Sequence, residues 1–338
     1  MFSTKNLEIT KKESKKYDSA IEGYSKAIEI DKNDVSAYFC RALIYSVFKK
    51  YDLAIKDFSK AIEIDKNYVD AYFERALMYR ALKNYDLAIK DFSKVIEIDK
   101  NYVEAYFCRA QIYCKSKEYD LAIKDFSKVI EIEKNYVNAY FERALIYSGF
   151  KKYDLAIKDF SKAIEIDKNY VEAYFCRAQI YYKSKEYDLA IKDFSKAIEI
   201  DKNCVNAYFE RALIYSGFKK YDLAIKDFSK AIEIDKNYVD AYFCRAVMYY
   251  ELKKYNLAIR DCKKVLKINP NHDNAREQLG RCFEKKKEYI LALKEFSKMA
   301  NENKKKNNRD RVLKKMKREI LGNSSWESQE NQVFRPNP

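Results

Sequence analysis

VNAYFERALIYSGFKKYDLAIKDFSKAIEIDKNYVD, residues 205–240, carries two apolar stripes at helical spacing and recurs along the chain every 34 residues with little change. In its first half Ala207, Tyr208, Arg211, Ala212 and Tyr215 fall on one helix face. In its second half Leu223, Ala224, Ile225, Phe228, Ala231, Ile232 and Ile234 do the same. The turn between them, Gly217 to Asp222, offers Asp222 as an N-cap. The step shows in Ala37, Ala71, Ala105, Ala139, Ala173, Ala207, Ala241 and Ala275. It shows again from Tyr17 through Tyr51 and Tyr85 to Tyr289. A fixed period of this size is the mark of a solenoid, not of independent globular domains.

Small residues at Ala212, Ala224 and Ala231 allow two helix backbones to approach, with Tyr208, Tyr215 and Phe228 filling the space between. One such hairpin cannot bury its apolar face alone, and stacking on neighbours completes the core. The pattern resembles the tetratricopeptide repeat over roughly residues 1–304. Counting Val205 as position 1, the family's aromatic at position 4 is Tyr208 and its small residue at position 8 is Ala212. Tyr215, Ala224, Phe228 and Ala231 take positions 11, 20, 24 and 27. The family's proline at position 32 is replaced by Lys236 here, and only Pro270 keeps it. The resemblance implies an all-α fold, a right-handed superhelical solenoid of tandem helix-turn-helix hairpins with a C-terminal capping helix.

The expected layout is a degenerate N-terminal capping unit at 1–34, seven regular units at 35–272 and a last unit at 273–304. A capping helix at 305–322 and a disordered tail at 323–338 follow. In the first unit Thr4, Glu8 and Lys11 stand where Tyr, Ala and Tyr belong, as suits a polar outer cap, although a docking motif in Met1–Lys16 is an alternative. The last unit keeps Ala275, Leu279, Gly280, Phe283, Ala292 and Phe296. Beyond it Val312, Leu313, Met316 and Ile320 share a helix face, and Gly322 stops it. The tail is polar despite Trp326 and Phe334. Residues 103–170 and 171–238 differ only at Cys114/Tyr182, Val129/Ala197, Glu133/Asp201 and Tyr136/Cys204. That duplication of 68 residues presents the same surface twice, which favours an extended or multivalent ligand.

Five glycines and three prolines in 338 residues leave little room for long loops. No apolar run approaches the roughly 18 residues a membrane span needs, and Met1–Asn33 has no secretory pattern, so a cytoplasmic, soluble chain is expected. Cys40, Cys108, Cys176 and Cys244 recur at one repeat position, too far apart for disulfides. With no Cys-x-x-Cys pair and His272 as the single histidine, reduced, mostly buried thiols and no metal or other cofactor are expected. From Lys253 onward 23 basic residues face 11 acidic ones, so this end holds +12 of the net charge of +15. A basic end can attract nucleic acid or another anionic surface, or simply be a solvated helix face.

By resemblance, the first helix of each hairpin lines a concave groove and exposes positions 2, 5, 6, 9, 12 and 13 there. Position 5 is Phe39, Phe73, Phe107, Phe141, Phe175, Phe209 and Phe243. Such a stripe is part core and part anchor for a peptide. Position 6 alternates Cys with Glu74, Glu142 and Glu210, position 9 includes Gln111 and Gln179, and position 2 is mostly acidic or amide. These features point to a protein or peptide partner mixing apolar and basic residues. The residues by which some members clamp acidic chaperone tails are absent, as is the asparagine ladder of the glycosyltransferase-type superhelix.

One correlation needs no family. Arg41, Arg75, Arg109, Arg143, Arg177, Arg211 and Arg245 are each followed sixteen residues later by Asp57, Asp91, Asp125, Asp159, Asp193, Asp227 and Asp261. The terminal units lack both partners, with Leu7/Gly23 and Leu279/Glu295 instead. An Arg–Asp ion-pair ladder that fixes register follows. No phosphate loop and no nucleophile beside a base is present. The chain is therefore expected to be no enzyme but a monomeric scaffold or adaptor binding a peptide or partner domain in its groove. The alternatives are nucleic-acid or anionic-surface association through the basic end, and a co-chaperone-type adaptor without the clamp.

Overall fold

A computed structural model describes residues 17–322, and every regular element among them is an α-helix. The chain forms two compact units, divided between Lys168 and Asn169. The first holds α1 (residues 17–30), α2 (Val35–Val47), α3 (Tyr51–Ile64), α4 (Val69–Ala81), α5 (Tyr85–Ile98), α6 (Val103–Lys115), α7 (Tyr119–Ile132), α8 (Val137–Gly149) and α9 (Tyr153–Ile166). The second holds α10 (Val171–Lys183), α11 (Tyr187–Ile200), α12 (Val205–Gly217), α13 (Tyr221–Ile234), α14 (Val239–Glu251), α15 (Tyr255–Ile268), α16 (Asp273–Lys285), α17 (Tyr289–Ser297) and α18 (Glu302–Gly322). The expectations for Met1–Lys16 (Thr4, Glu8 and Lys11 included), the side chain of Ile320, and the tail with Trp326 and Phe334 lie outside what is described.

Each hairpin follows from its small and aromatic positions. In α6 and α7, Ala105, Ala110 and Ala122 are fully buried, so the two helices meet at alanine. Phe126 fills the remaining space with no exposed surface, as do Phe58, Phe92, Phe160 and Phe228 in their own hairpins. Truncating such a ring to alanine costs about 3–5 kcal/mol. In α15 the same place is taken by Cys262, also fully buried. The last hairpin has Gly280 at the position where the others carry alanine. A Cβ there would run into the Phe296 ring. Gly280→Ala should therefore destabilise α16 and α17 by about 1–3 kcal/mol through overpacking. Backbone amide exchange should show this as faster opening confined to that end of the chain.

The turns depart from the expected scheme. Asp222 is not the cap of α13; it stands at the second helical residue, and Lys220 precedes the helix without a side-chain cap. The cause is the way α12 ends. Lys219 N–H donates to the Ser216 carbonyl (2.9 Å) and Lys220 N–H to the Tyr215 carbonyl (2.8 Å), a Schellman closure with its left-handed residue at Lys219. The next helix begins at once, and Asp222 acts only through the N-terminal dipole. Gly217, the one glycine of the stretch, is helical. Instead Lys49, Lys83, Lys117, Lys151, Lys185, Lys219, Lys253 and Lys287 all carry φ between 56° and 65°.

Against the last hairpin packs α18, which begins at Glu302. Val312 is fully buried in a cluster with Leu279, Phe283, Phe296 and Met299. Glu284 receives Arg311 at 2.9 Å and Lys315 at 2.6 Å. The Glu284–Lys315 separation of 31 residues equals that of the Arg80–Gln111 contact between α4 and α6. So α18 stacks as the first helix of a further hairpin would. Lys304 with Glu277 and Lys287 with Glu319 add to this, and part of the basic surplus is thus spent within the fold. No helix among the described residues is long and apolar enough to cross a membrane.

Candidate functional site

The first helices α4, α6 and α8 present two adjoining clefts in the first compact unit. One, of about 580 Å³, is lined by Leu77, Arg80, Gln111, Ile112, Lys115 and Glu142, among others. The other, of about 360 Å³, is lined by Tyr119, Glu142, Leu145, Ile146, Gly149 and Phe150. Cys114 and Glu142 belong to both. Repeat register explains the lining: residues nine, ten, twelve and thirteen of each first helix face one side, so successive helices place theirs in a row.

Of the expected groove residues, Gln111 and Glu142 line these clefts. The phenylalanines do not. Phe73 lies 5.6 Å from Phe92 and 5.0 Å from Tyr102, and Phe107 5.6 Å from Phe126 and 5.1 Å from Tyr136. Phe39 repeats this with Phe58 and Tyr68, and Phe209 with Phe228 and Tyr238. Phe141 and Phe175 pack tilted or edge-on against Phe160 and Phe194, and Phe243 packs tilted against His272. All seven are half-buried. The apolar floor of the clefts is aliphatic instead: Leu77, Ile112, Leu145 and Ile146. In the second unit Gln179 and Glu210 are half-buried at the same helix positions.

The cations of the larger cleft are partnered. Arg80 donates to Gln111 Oε1 at 3.3 Å, and Lys115 sits 5.8 Å from the Tyr85 ring centre. Glu142 and Glu210 have no such help, and burial pushes both carboxyls above their ordinary range. Glu74 moves the same way, through burial and then Asp70. A carboxyl raised in the folded state adds stability that is complete below its ordinary pKa and is lost as pH rises through the raised value. The triple change of Glu74, Glu142 and Glu210 to Gln should therefore raise Tm at pH 7 and leave it nearly unchanged at pH 3.5. Thermal unfolding at the two pH values reads the difference.

A polar ladder recurs from hairpin to hairpin. Arg143 donates through Nε and Nη2 to both oxygens of Asp159, at 2.7 and 2.9 Å. The same fork joins Arg75 to Asp91, Arg109 to Asp125, Arg177 to Asp193 and Arg211 to Asp227, each opening at 2.7 Å. Arg41–Asp57 and Arg245–Asp261 match them. The aspartates are buried, the arginines nearly so, and tyrosine rings such as Tyr140 and Tyr147 lie about 6 Å from the guanidinium. For Arg143, burial is the largest influence and acts to lower its pKa, but the hydrogen bond to Asp159, that carboxylate's charge and the neighbouring Tyr147 and Tyr140 together turn the net shift upward.

A third member was missed from the sequence. Arg143 Nη1 donates to Ser127 Oγ on the preceding hairpin at 2.8 Å, and Ser127 in turn donates to the Ile123 carbonyl at 2.6 Å. Ser25, Ser59, Ser93, Ser195 and Ser229 serve Arg41, Arg75, Arg109, Arg211 and Arg245 likewise. The signal was available: each arginine has a serine sixteen residues before it. The fork holds the two helices of one hairpin, and the third donor reaches the hairpin before it.

The eight cysteines are free thiols; Cys262 and Cys282 are buried and the other six only half-buried, so burial is less general than the repeat position suggested. Among the described residues no three His, Cys, Asp or Glu side chains converge as a metal site would require.

Among curated proteins, none matches the sequence. Solved structures do. The C-terminal part of a TPR repeat-containing protein from Cytophaga hutchinsonii is 23% identical with a TM-score of 0.64, covering 71% of this chain and 99% of that one. A tetratricopeptide repeat protein from Parabacteroides merdae is 18% identical with a TM-score of 0.50, covering 72% and 98%. YrrB, described as a TPR protein with an unusual peptide-binding site, is 23% identical with a TM-score of 0.49, covering 54% and 95%. At such identities the likeness is one of fold. A family description, Tetratricopeptide repeat, matches residues 35–68, 69–102, 103–136, 171–204 and 239–272, and a second, TPR repeat, matches 11–46, 151–185 and 219–253. With half of the chain matched by the first description alone, and helix pairs that keep its 34-residue step, the chain belongs to the tetratricopeptide repeat family.

Proposed function

We propose that this chain is a non-catalytic adaptor that holds an extended peptide segment, mixing apolar and basic residues, along the face formed by α4, α6 and α8. Tandem repeats of this family support a protein-interaction scaffold in general. The observation that carries the finer reading is the pair of adjoining clefts with aliphatic floors that share Glu142. Two adjoining pockets one repeat apart suit an extended chain better than a compact small molecule. The exposed flank of the clefts gives the test. Leu145 lines one cleft at 39% exposure and Gln111 lines the other, so Leu145→Arg with Gln111→Arg changes the face without emptying the core. The experiment is affinity capture from cell lysate with the native chain and this double variant, each first shown by circular dichroism to be folded. Partners held by the native chain at low and high salt should be lost from the variant. Unchanged capture, or partners that leave with salt alone, would contradict the reading and favour the basic end.

A further inference from the structure

We infer that the cleft between α6 and α8 receives one basic side chain of the bound segment, with Glu142 as its counter-charge and residue 114 as its gate. The inference rests on the adaptor reading and adds what one pocket selects. Glu142 is half-buried, yet it makes no ion pair among the described residues. Its surroundings are otherwise suited to a long cationic side chain. Leu145 and Ile146 offer aliphatic walls to a methylene stem. Tyr119 and Phe150 meet edge to face at 5.4 Å, and Phe150 is 53% exposed, so its ring can face a cation. An acidic side chain would be repelled, and a neutral one would leave the carboxylate desolvated and uncompensated. Lysine and arginine satisfy the wall and the charge together.

The gate comes from the 68-residue duplication. At the place of Cys114 the second copy has Tyr182, whose ring lies 5.8 Å from Tyr187, the counterpart of Tyr119. Glu210, Leu213, Ile214 and Phe218 are otherwise unchanged from the first copy. A small thiol borders the first cleft, and at the equivalent position of the second copy stands a phenol ring, 42% exposed, beside Tyr187. On this inference the first copy accepts the side chain and the bulkier ring of the second hinders it.

The test uses the full chain and three fluorescein-labelled, blocked peptides in which leucine alternates with lysine, norleucine or glutamate. Fluorescence anisotropy measures affinity, and mass mapping of N-ethylmaleimide labelling measures protection of Cys114. The lysine peptide should bind about tenfold or more tightly than the norleucine peptide and protect Cys114 but not Cys40. Glu142→Gln and Cys114→Tyr should each remove that preference, while Cys114→Ala, which keeps the cleft open, should retain it. Equal binding of the norleucine or glutamate peptide overturns the inference, as does an unchanged preference in Glu142→Gln or no protection of Cys114 by the lysine peptide. If that happens while the Leu145→Arg, Gln111→Arg variant still loses its captured partners, the adaptor reading stands and only this pocket's role falls.

Discussion

Asp159→Ala should destabilise the chain by about 3–5 kcal/mol, because it strips the partner from a guanidinium that the fold keeps largely from water. Arg143 is left with Ser127 and two tyrosine faces, none of which carries a compensating charge. Removing both members, as Arg143→Met with Asp159→Leu, should cost much less than the single change, because no uncompensated charge remains buried. A double-mutant cycle in denaturant reads the coupling directly. In a stacked-hairpin chain the loss should be local: amide exchange should accelerate in α8 and α9 and be nearly unchanged in α2 and α3. A single-mutant cost near that of an exposed ion pair, below about 1 kcal/mol, would mean that the fork tunes nothing beyond its surface.

Replacing the eight left-handed lysines by glycine should raise stability by at least as much as a typical core or ladder substitution lowers it. A side chain in the left-handed region costs about 1–2 kcal/mol per residue, and glycine's extra freedom in the unfolded chain returns part of that gain. A net gain of about 0.5–1 kcal/mol per turn is expected, and turns one repeat apart should add. Together Lys49, Lys83, Lys117, Lys151, Lys185, Lys219, Lys253 and Lys287 should contribute about 4–8 kcal/mol. The same changes reduce positive charge, so the alanine series is the control. Alanine removes the charge but keeps the Cβ, and should recover little of the gain. Equal stabilisation by alanine and glycine in thermal or denaturant unfolding would assign the effect to charge instead of backbone.

These two cases also mark what could be read in advance. The Arg–Asp partnership was legible because both residues vanish together from the terminal hairpins. The serine that completes it carries no charge and looks like any exposed helix residue, so its register went unnoticed. The hairpins themselves were legible because Ala110, Ala122 and Phe126 must lie where two backbones approach. The left-handed turn was hidden because lysine is not the residue that conformation selects, and Gly217 drew attention to a position that is in fact helical. The phenylalanine stripe illustrates a different limit. Period places Phe107 on the first helix, but only packing shows that Phe126 and Tyr136 claim its ring. The gate proposed at residue 114 turns on one repeat position, Cys114 in the first copy and Tyr182 in the second, a distinction that averaging over repeats erases.

The proposed adaptor face is tested most directly by photo-crosslinking. A benzophenone amino acid is placed at Leu145, on the wall of the smaller cleft, or at Leu155, a similarly exposed leucine on α9. Each chain is incubated in lysate, irradiated and resolved by mass. The adaptor reading predicts discrete protein adducts from position 145 and none shared by position 155. Adducts from 155 alone, or the same adducts from both, would contradict a binding face on α4, α6 and α8.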